Sequence, residues 1–396
     1  MAIIEHNPEC CGCAACVDIC PKHALSMKED EETFVYPTIE HSLCVDCGLC
    51  EKVCPLNFDS FLDSDNVKSY VGFHKSKDII YESSSGGAFT AIADAYIKKG
   101  YRVYGASYSE HFQVVHSCAE TLDECTKFKK SKYVQSKTEG CFYSVAEDLS
   151  KGKKVLFTGV SCQVAALVSY CKTKKIDTSN LVTLNISCIG VPSQKMFDTY
   201  ISEEEKREKA SISKFLFKNK KADKNKINSR TSYIEFNNGN KYIRTILNDP
   251  FLRGFYSRLF NRPSCSLCHF TRKERISDFT LSDAWGIEKL YPQYNPLEGC
   301  SLLMFNTSKA MEIFNELLED MDLTEVPSQW ALNSQRLFRA PTIMHKNRDL
   351  FFDRWKTHSF RTAVFSCTTL TFIHLTISKY VPDTLKKQIR SVLKKK

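Results

Sequence analysis

Two cysteine runs near the start of the chain constrain its fold more than any other feature. Each run has the pattern C-x2-C-x2-C-x3-C-P, and about two dozen residues separate them. The cysteines are Cys10, Cys13, Cys16 and Cys20 in the first run and Cys44, Cys47, Cys50 and Cys54 in the second. Neighbouring cysteines are too close together and too numerous to pair as disulfides. The runs therefore indicate metal binding.

The third cysteine at the same short interval indicates which metal group is bound. Zinc sites usually pair two C-x2-C units and rarely add a third cysteine at this spacing. Bacterial ferredoxins with two 4Fe-4S clusters use it, and the fourth cysteine of each run binds the other cluster. We therefore predict two 4Fe-4S clusters. Their ligands are expected to be Cys10, Cys13, Cys16 and Cys54 for the first and Cys44, Cys47, Cys50 and Cys20 for the second. Cys11 lies outside the pattern and is predicted to be a buried or unligated bystander.

The charge of the chain changes sign after these runs. Residues 1–65 carry 3 Lys or Arg against 13 Asp or Glu, a net charge of −10, whereas the remainder carries 52 against 33, a net charge of +19. This shift predicts a domain boundary near residue 65. The basic remainder has no zinc-finger, RNA-recognition or helix-turn-helix signature, so we expect no nucleic-acid partner. It is suited instead to an acidic electron-transfer partner or a phosphorylated substrate.

The compartment is predicted from the cysteines and from the absence of targeting patterns. Cysteine supplies 19 of 396 residues, no signal-peptide pattern precedes the first run, and no stretch of 18 apolar residues occurs. We expect a cytoplasmic protein that uses its thiols for metal. The segment 361–396 ends in LKKQIRSVLKKK, a basic amphipathic pattern. It predicts peripheral contact with the inner face of the membrane; the alternatives are a solvated tail or a helix docked on the body.

Two strand–turn–helix units follow the cysteine runs and predict an α/β body. A strand over 155–158 precedes Cys162, and a strand over 181–186 precedes Cys188. Ligands bind beyond the carboxyl ends of parallel strands, although buried structural cysteine is the alternative for each thiol. Cys265 and Cys268 form a C-x2-C pair, which alone is weak support for metal. Local patterns also predict a short helix and a hairpin between the cysteine runs, a β-hairpin that turns at residues 237–240, and a helix over 309–320. The predicted fold class is an α+β ferredoxin-like dicluster domain followed by an α/β body with a mixed, largely parallel sheet.

Two polar stretches of the body are candidates for anion binding. The turn SSSGG, with N-caps expected from Ser83 to Ser85, precedes a predicted helix from Ala88. Such a turn can bind an anion, or it can simply cap the helix. The basic stretch 127–137 is either a solvated face or a loop that grips a phosphate. No dinucleotide fingerprint or P-loop occurs.

Six segments, in the order in which they occur, resemble the family of coenzyme F420 hydrogenase/dehydrogenase beta subunits. They are SSSGGAFTAIADAYIKKG, SKYVQS, FTGVSCQVAAL, SCIGVPS, CSLCHF and FTLSDAWGI. With the ferredoxin module in front, the resemblance covers residues 1 to about 310. The chain departs from the family pattern at Val160-Ser161, where Thr-Pro is usual, and at Ser282, where Gly is usual.

The resemblance implies an iron-sulfur flavoprotein oxidoreductase that binds FAD. It passes electrons between 4Fe-4S clusters and FAD to a small-molecule hydride acceptor, either coenzyme F420 or another organic substrate, such as one in polysaccharide biosynthesis. Ferredoxin or another low-potential carrier is the implied electron partner. The residues implied to contact the flavin are Ser85, Gly86, Gly87, Ser131, Lys132 and Tyr133. Those implied to hold a third 4Fe-4S cluster are Cys162, Cys188, Cys265 and Cys268.

The predicted organisation has four parts: a dicluster domain over 1–65, two parts of the family body over 66–205 and 206–360, and a tail over 361–396. Two other functions fit parts of the pattern. One is a non-catalytic electron-transfer subunit of a larger redox complex, and the other is a zinc-stabilised binding module.

Overall fold

A computed structural model describes residues 7–62, 67–220 and 231–368, without the side chains of residues 296–297. The predicted amphipathic helix of the tail lies outside these ranges, and so does most of the polar stretch at the predicted boundary near residue 65. A helix covers residues 360–368 at the end of the last range. No helix within the described residues is long and apolar enough to cross a membrane.

The described residues form thirteen strands and a similar number of short helices. The strands are β1 (Leu25–Glu29), β2 (Val35–Ile39), β3 (Lys68–His74), β4 (Tyr101–Tyr108), β5 (Val114–Ala119), β6 (Lys154–Val160), β7 (Leu181–Ile186), β8 (Ile212–Leu216), β9 (Thr231–Phe236), β10 (Lys241–Thr245), β11 (Phe279–Asp283), β12 (Ser301–Phe305) and β13 (Met321–Val326). The helices are α1 (Ala15–Ile19), α2 (Leu49–Lys52), α3 (Lys77–Glu82), α4 (Ala88–Lys98), α5 (Cys141–Ser150), α6 (Ser161–Lys174), α7 (Gln194–Glu208), α8 (Pro250–Ser257), α9 (Pro296–Gly299), α10 (Ser308–Met311), α11 (Phe314–Asp320), α12 (Ser328–Ser334) and α13 (Arg348–Trp355). Short 3-10 helices cover Pro55–Asn57, Glu110–Phe112, Glu124–Phe128, Pro263–Ser266, Ile287–Lys289 and Arg336–Phe338.

The N-terminal module has two short helices and one hairpin. Each helix begins inside a cysteine run, after a residue with positive φ: Ala14 before α1 and Gly48 before α2. Strands β1 and β2 pair antiparallel between the runs. A helix was also expected in this interval, but it is absent from the described residues, which turn at His23 (φ 51°) directly into β1. The left-handed turn allows no helical turn between the first run and the hairpin.

The body is built on one mixed sheet of eight strands in the order β13-β3-β12-β11-β7-β6-β4-β5. The central pairs β11–β7, β7–β6 and β6–β4 are parallel, and the four outer pairs are antiparallel. The mixed sheet is as predicted, but parallel pairing is confined to its centre. Two of the antiparallel pairs, β4–β5 and β11–β12, join strands that are consecutive in the chain, whereas β3 pairs with β12 and β13 from more than 200 residues away.

Helices cover both faces of this sheet. In β6, Leu156 faces the side packed by α4 and α11, whereas Val155 and Phe157 face the side packed by α5 and α6. This alternation is typical of a strand buried on both faces. Helix α1 of the N-terminal module packs on the same side as α5 and α6, so the module becomes part of that layer.

A second, three-stranded sheet of order β10-β9-β8 forms a separate layer with α7, α8 and α13. Its core is rich in phenylalanine: Phe197, Phe215 and Phe251 are buried and in ring-to-ring contact. Such rings bury large apolar areas, so this layer holds strand β8 rigidly against the body. The residues that follow β8 are thereby directed towards the main sheet.

Two predicted helix details differ from the structure. Helix α4 starts after Gly87, which has φ 92° and provides no side-chain cap, so the expected serine caps are wrong. The predicted helix over 309–320 is broken into α10 and α11. The break lets Ala310, Ile313 and Leu317 all reach the buried face.

Candidate cluster and cofactor sites

One cavity of the body is lined by the four cysteines implied to hold a third cluster. Cys162, Cys188, Cys265 and Cys268 all face a space of about 70 Å³. A single water needs roughly 10–15 Å³ of such space, so the cavity has room for a group of several atoms. Among the described residues, no three or more His, Cys, Asp or Glu side chains are placed to hold a single metal ion.

The fold explains why these four thiols meet. Strands β6 and β7 run parallel, with Val160 opposite Ile186, so Cys162 and Cys188 follow their carboxyl ends on one edge. The segment with Cys265 and Cys268 is fastened over that edge by backbone contacts. Arg262 N donates to Val191 O at 2.8 Å, and Asn261 Nδ2 donates to Ile189 O at 2.9 Å.

Burial governs the ionisation of these thiols. Burial raises the pKa of Cys265, and burial raises the pKa of Cys188 to about 11, against a backbone hydrogen bond from Gly190 N at 3.3 Å that lowers it. Without metal the thiols therefore hold their protons. Binding a positive metal centre displaces those protons, because thiolate is the ligand form. Four thiols around one cavity fit a 4Fe-4S cluster.

The N-terminal module supplies a fifth cysteine to this cavity. Cys11 lines it beside Cys162 and Cys268. The thiol of Cys11 also interacts with those of Cys13 and Cys162, and these contacts lower its pKa well below the usual range. The sequence predicted a buried or unligated bystander, and the structure places Cys11 between the cysteines of the first run and those of the body cavity. Sequence spacing carries no signal for this position, because it depends on how the two domains dock.

The predicted ligands of the first ferredoxin cluster lie near one another. Burial raises the pKa of Cys16, and the neighbouring thiols of Cys10 and Cys54 raise it further. Cys54 comes from the second run, so the two runs interleave as the ferredoxin spacing predicts. Backbone N–H groups donate to two cysteine sulfurs: Gly12 N to Cys10 Sγ at 3.4 Å and Ala24 N to Cys20 Sγ at 3.3 Å.

The second predicted set is nearer the surface. Cys47 is exposed, and Cys44, Cys50 and Cys20 are half-buried. The flanking side chains of Leu43 and Val45 are 51% and 56% exposed. This part of the module therefore presents its cysteine ligands and two apolar side chains to an approaching molecule.

Arg262 joins the module to the body and was not predicted. Its side chain is fully buried. Arg262 Nε donates to Cys10 O at 2.7 Å, and Nη2 donates to Val35 O at 2.8 Å. The guanidinium also lies 4.3 Å from the ring centre of Tyr36. Gly12 packs against it so closely that an added Cβ would lie 2.8 Å from Nη1, which explains glycine at this position.

The Ser–Gly turn lies at the ends of β3 and β12. Ser85 Oγ donates to Cys300 O at 3.0 Å, and Gly86 N donates to Ser301 Oγ at 2.9 Å. A Cβ on Gly86 would stand 2.5 Å from Gly72 O, so only glycine allows this approach. The turn is thus held rigidly against the main sheet.

Two lysines that sequence analysis missed reach this turn from the segment after β8. Lys218 Nζ donates to Ser84 O at 3.2 Å and to Asp283 Oδ2 at 3.1 Å. Lys220 Nζ donates to Ile80 O at 3.1 Å and to Ser85 O. Burial, with the charge of Lys218, lowers the pKa of Lys220 to about 7. Only the alternation of lysines with apolar residues in KFLFKNK could have indicated two buried ammonium groups.

The structure brings the basic stretch partly to the same place. Ser131 N and Oγ donate to Ser84 Oγ at 2.7 and 2.9 Å, so Ser131 contacts the turn. Tyr133 packs instead on Phe255, with ring centres 4.3 Å apart. Lys132 lines a basic cavity on the other side of the loop.

Comparisons with known proteins show which families have similar sequences. Residues 152–329 match the C terminus of the coenzyme F420 hydrogenase/dehydrogenase beta subunit, and residues 9–58 match the 4Fe-4S dicluster domain. The F subunit of F420H2 dehydrogenase from Methanosarcina mazei is 25% identical over 175 residues, covering 41% of this chain and 49% of that protein. The match thus spans about half the length of that relative.

Two further similarities concern the N-terminal module and the whole chain. A 7Fe ferredoxin from Hydrogenibacillus schlegelii is 33% identical over 82 residues, covering 20% of this chain and 95% of that protein. A structure of the F420-reducing [NiFe] hydrogenase complex from Methanosarcina barkeri includes a similar chain. It has a TM-score of 0.45 and 15% identity over 80% of this chain and 92% of that one.

These matches define the protein as an iron-sulfur electron-transfer protein with a 4Fe-4S dicluster domain. The recognised family is that of coenzyme F420 hydrogenase/dehydrogenase beta subunits: its C-terminal region matches residues 152–329, behind a dicluster domain over residues 9–58.

Proposed function

We propose that this chain is an oxidoreductase that passes electrons through three 4Fe-4S clusters to FAD and on to a small-molecule hydride acceptor. The observation that carries the proposal is the position of adjacent residues Ser282 and Asp283. Ser282 Oγ contacts Ser187 Oγ at 2.9 Å, next to Cys188, while Asp283 pairs with Lys218 at the Ser–Gly turn. One strand end therefore links the third cluster cavity to the proposed flavin site.

The residues around the turn fit a flavin. When bound, FAD takes up electrons singly and delivers a hydride, which clusters cannot do. The backbone of Ser85, Gly86 and Gly87 allows close approach, and Ser131 adds a hydroxyl beside it. Lys218 and Lys220 place positive charge at the turn, where it favours an electron-rich or anionic group. These lysines hold their positions through carbonyl and carboxylate partners.

The four-cysteine cavity supports the middle of this path. It is lined by both Cys11 of the N-terminal module and the thiols of the body, so a cluster there lies between the module and the turn. All nineteen cysteines are free thiols in the structure, which supports a reducing, cytoplasmic setting. Anaerobic purification and reconstitution with FAD tests the proposal. We expect about one FAD per chain, and a reconstituted chain without flavin affinity would exclude it.

A second candidate is a non-catalytic electron-transfer subunit, favoured by the relative that is itself named as part of a dehydrogenase. This candidate predicts cluster binding without any flavin-dependent reduction of a hydride acceptor. It also predicts copurification in a fixed complex. Reduction of an acceptor by the isolated, FAD-loaded chain distinguishes the two.

Exchange of Cys47 for alanine tests electron transfer into the chain through the exposed set. We expect the rate of reduction by reduced ferredoxin to fall at least about tenfold, because even changes around metal ligands commonly cost 10- to 100-fold. Stopped-flow absorbance of the body cofactors measures this rate. The buried Cys125 lies outside all three sites and gives the control Cys125→Ala. An unchanged rate with the outer cluster shown to be lost would exclude this route.

Lys220→Met tests the ammonium at the turn through the pH dependence of stability. The pKa of Lys220 falls from 10.5 to about 7 in the folded chain through burial and the charges of Lys218 and Lys130, opposed by Asp283. Between these values the unfolded chain binds more protons, so the stability of the natural chain rises with pH. At pH 6 the flavin-free variant should be more stable than the natural chain by roughly 2 kcal/mol. Each unit by which the pKa is lowered corresponds to about 1.4 kcal/mol of destabilisation, and relaxation of the lysine side chain recovers part of that free energy.

This difference in stability should shrink as the pH approaches 10. Independently of pH, the variant should bind FAD more weakly than the natural chain does. Urea unfolding at several pH values measures the first effect, and fluorescence titration measures the second. Lys195→Met, at an exposed lysine of α7, is the control. Equal stability and equal FAD affinity of Lys220→Met and the natural chain would contradict a charged role for Lys220.

A further inference from the structure

A basic cavity of about 230 Å³ lies between the loop after β5 and strand β8. Five lysines line it, and the described lining residues include no Asp or Glu, although Glu82 Oε2 lies 3.5 Å from Lys129 Nζ beside the cavity. These lysines are Lys127, Lys129, Lys130, Lys132 and Lys214. A cavity with charge of one sign concentrates ligands of the opposite sign, because its low-dielectric walls focus the field.

Lys132 places an ammonium group inside this loop. Its Nζ donates to Lys127 O at 2.8 Å, Lys129 O at 3.1 Å and Lys130 O at 3.4 Å. Burial lowers its pKa to about 7. Backbone carbonyls orient the ammonium but carry no full negative charge, so they only partly offset the free energy of burying it. An anion in the cavity would offset the rest of this desolvation cost.

The cavity adjoins the proposed flavin site. Ser131, which lines the cavity, donates from its N and Oγ to Ser84 Oγ in the Ser–Gly turn. Lys130 Nζ lies 3.4 Å from both Tyr81 O and Lys218 O. The rings of Tyr108 and Phe112 also line the cavity and pack edge to face, 5.6 Å apart, with Lys132 Nζ 5.8 Å from the centre of the Tyr108 ring.

We propose that this cavity binds the phosphate groups of a nucleotide-like ligand, with Lys129 and Lys130 as the charged contacts and the ammonium of Lys132 adding positive charge behind them. Lysine ammonium groups suit phosphate as point charges, and several of them match a doubly charged group better than a carboxylate. The volume accommodates more than one phosphate. The phosphates have two sources: the diphosphate of FAD, in which case the proposal rests on the proposed function, or a phosphorylated substrate.

Calorimetric titration of the full reconstituted chain with inorganic pyrophosphate tests the cavity, in flavin-free and in FAD-loaded protein. The same titration with sodium chloride at equal ionic strength shows how much of the signal is non-specific anion binding. We expect binding of pyrophosphate to weaken at least about tenfold in Lys129→Gln, which removes a charge-assisted contact, and in Lys132→Met, which removes a buried positive charge. Lys129 is partly exposed, so Lys129→Gln keeps the test valid if Lys132→Met does not fold. Lys137→Gln, an exposed lysine of the same stretch outside the cavity, is the matched control.

The two sources give different results. Binding to the flavin-free chain alone, with competition by FAD, assigns the cavity to the cofactor diphosphate. Binding to the FAD-loaded chain as well assigns it to a phosphorylated substrate. If the chain takes up no FAD but binds pyrophosphate through Lys129, the proposed function is wrong. The assignment of the cavity as a phosphate site is still supported by that result. Equal affinity of Lys129→Gln and Lys137→Gln, or no preference for pyrophosphate over chloride, overturns the assignment.

Discussion

Exchange of Cys265 and Cys268 for serine should lower the iron content of the reconstituted chain from about twelve to about eight per chain, because one cluster of four irons is lost. These two thiols come from one short segment and supply half of the thiols around the cavity. Serine keeps the size of the side chain but is a poor ligand for iron. Anaerobic reconstitution followed by iron and sulfide determination measures the effect.

The controls for this experiment are Cys118 and Cys125, which lie in and after β5, away from the cavity. The double variant Cys118→Ser and Cys125→Ser removes two thiols and should retain about twelve irons, as three clusters require. An iron content near eight in both the natural chain and Cys265→Ser/Cys268→Ser would show that the four cysteines hold no cluster. The dicluster module would then be the whole iron centre.

Arg262→Met should weaken the docking of the N-terminal module by about 3 kcal/mol. The variant removes the donor to Cys10 O and Val35 O and leaves these buried acceptors without it. We expect the visible absorbance of the clusters to be lost at a lower urea concentration than in the natural chain. Limited proteolysis should release an N-terminal fragment under the same conditions.

Two variants define what Arg262 contributes. Arg262→Lys keeps the charge but lacks the planar fork that reaches two carbonyls at once, so an intermediate loss is expected. Arg339→Gln changes an exposed arginine that bonds Asn333 O within the body and should leave the urea midpoint in place. If Arg262→Met and Arg339→Gln lose their clusters at the same urea concentration, the module is held by its other contacts alone. Such contacts include Asp18, whose carboxylate accepts from Gly140 N at the start of α5.

Local sequence patterns predicted much of the fold. They could not predict contacts between segments that are far apart in the sequence. The cysteine runs, the strands before Cys162 and Cys188, and the β9–β10 hairpin follow from spacing and alternation, so the sequence was sufficient for them. Arg262 and Lys220 look like ordinary surface residues in the sequence. Their burial depends on segments more than a hundred residues away, as the contacts Arg262–Cys10 and Lys220–Ser85 show.

The position of Cys11 could not be predicted for the same reason. Its neighbours in sequence belong to the ferredoxin pattern, while its neighbours in space include Cys162 of the body. The broken helix at α10–α11 shows a smaller version of the effect: periodicity favours one helix, but packing against the sheet favours two. Local preference is a weak term where tertiary burial competes with it.

The cavity of the body is closed by residues of the N-terminal module. Glu9, Cys11 and Leu56 of the N-terminal module line it together with the body cysteines. Domains fold in order during synthesis, so the module exists before the segment carrying Cys265 and Cys268 emerges. The cavity is thus completed last, when the two domains meet. A cluster held by the four body cysteines would therefore be assembled only after the domains dock, and loosening the junction would expose it to oxygen before either domain unfolds.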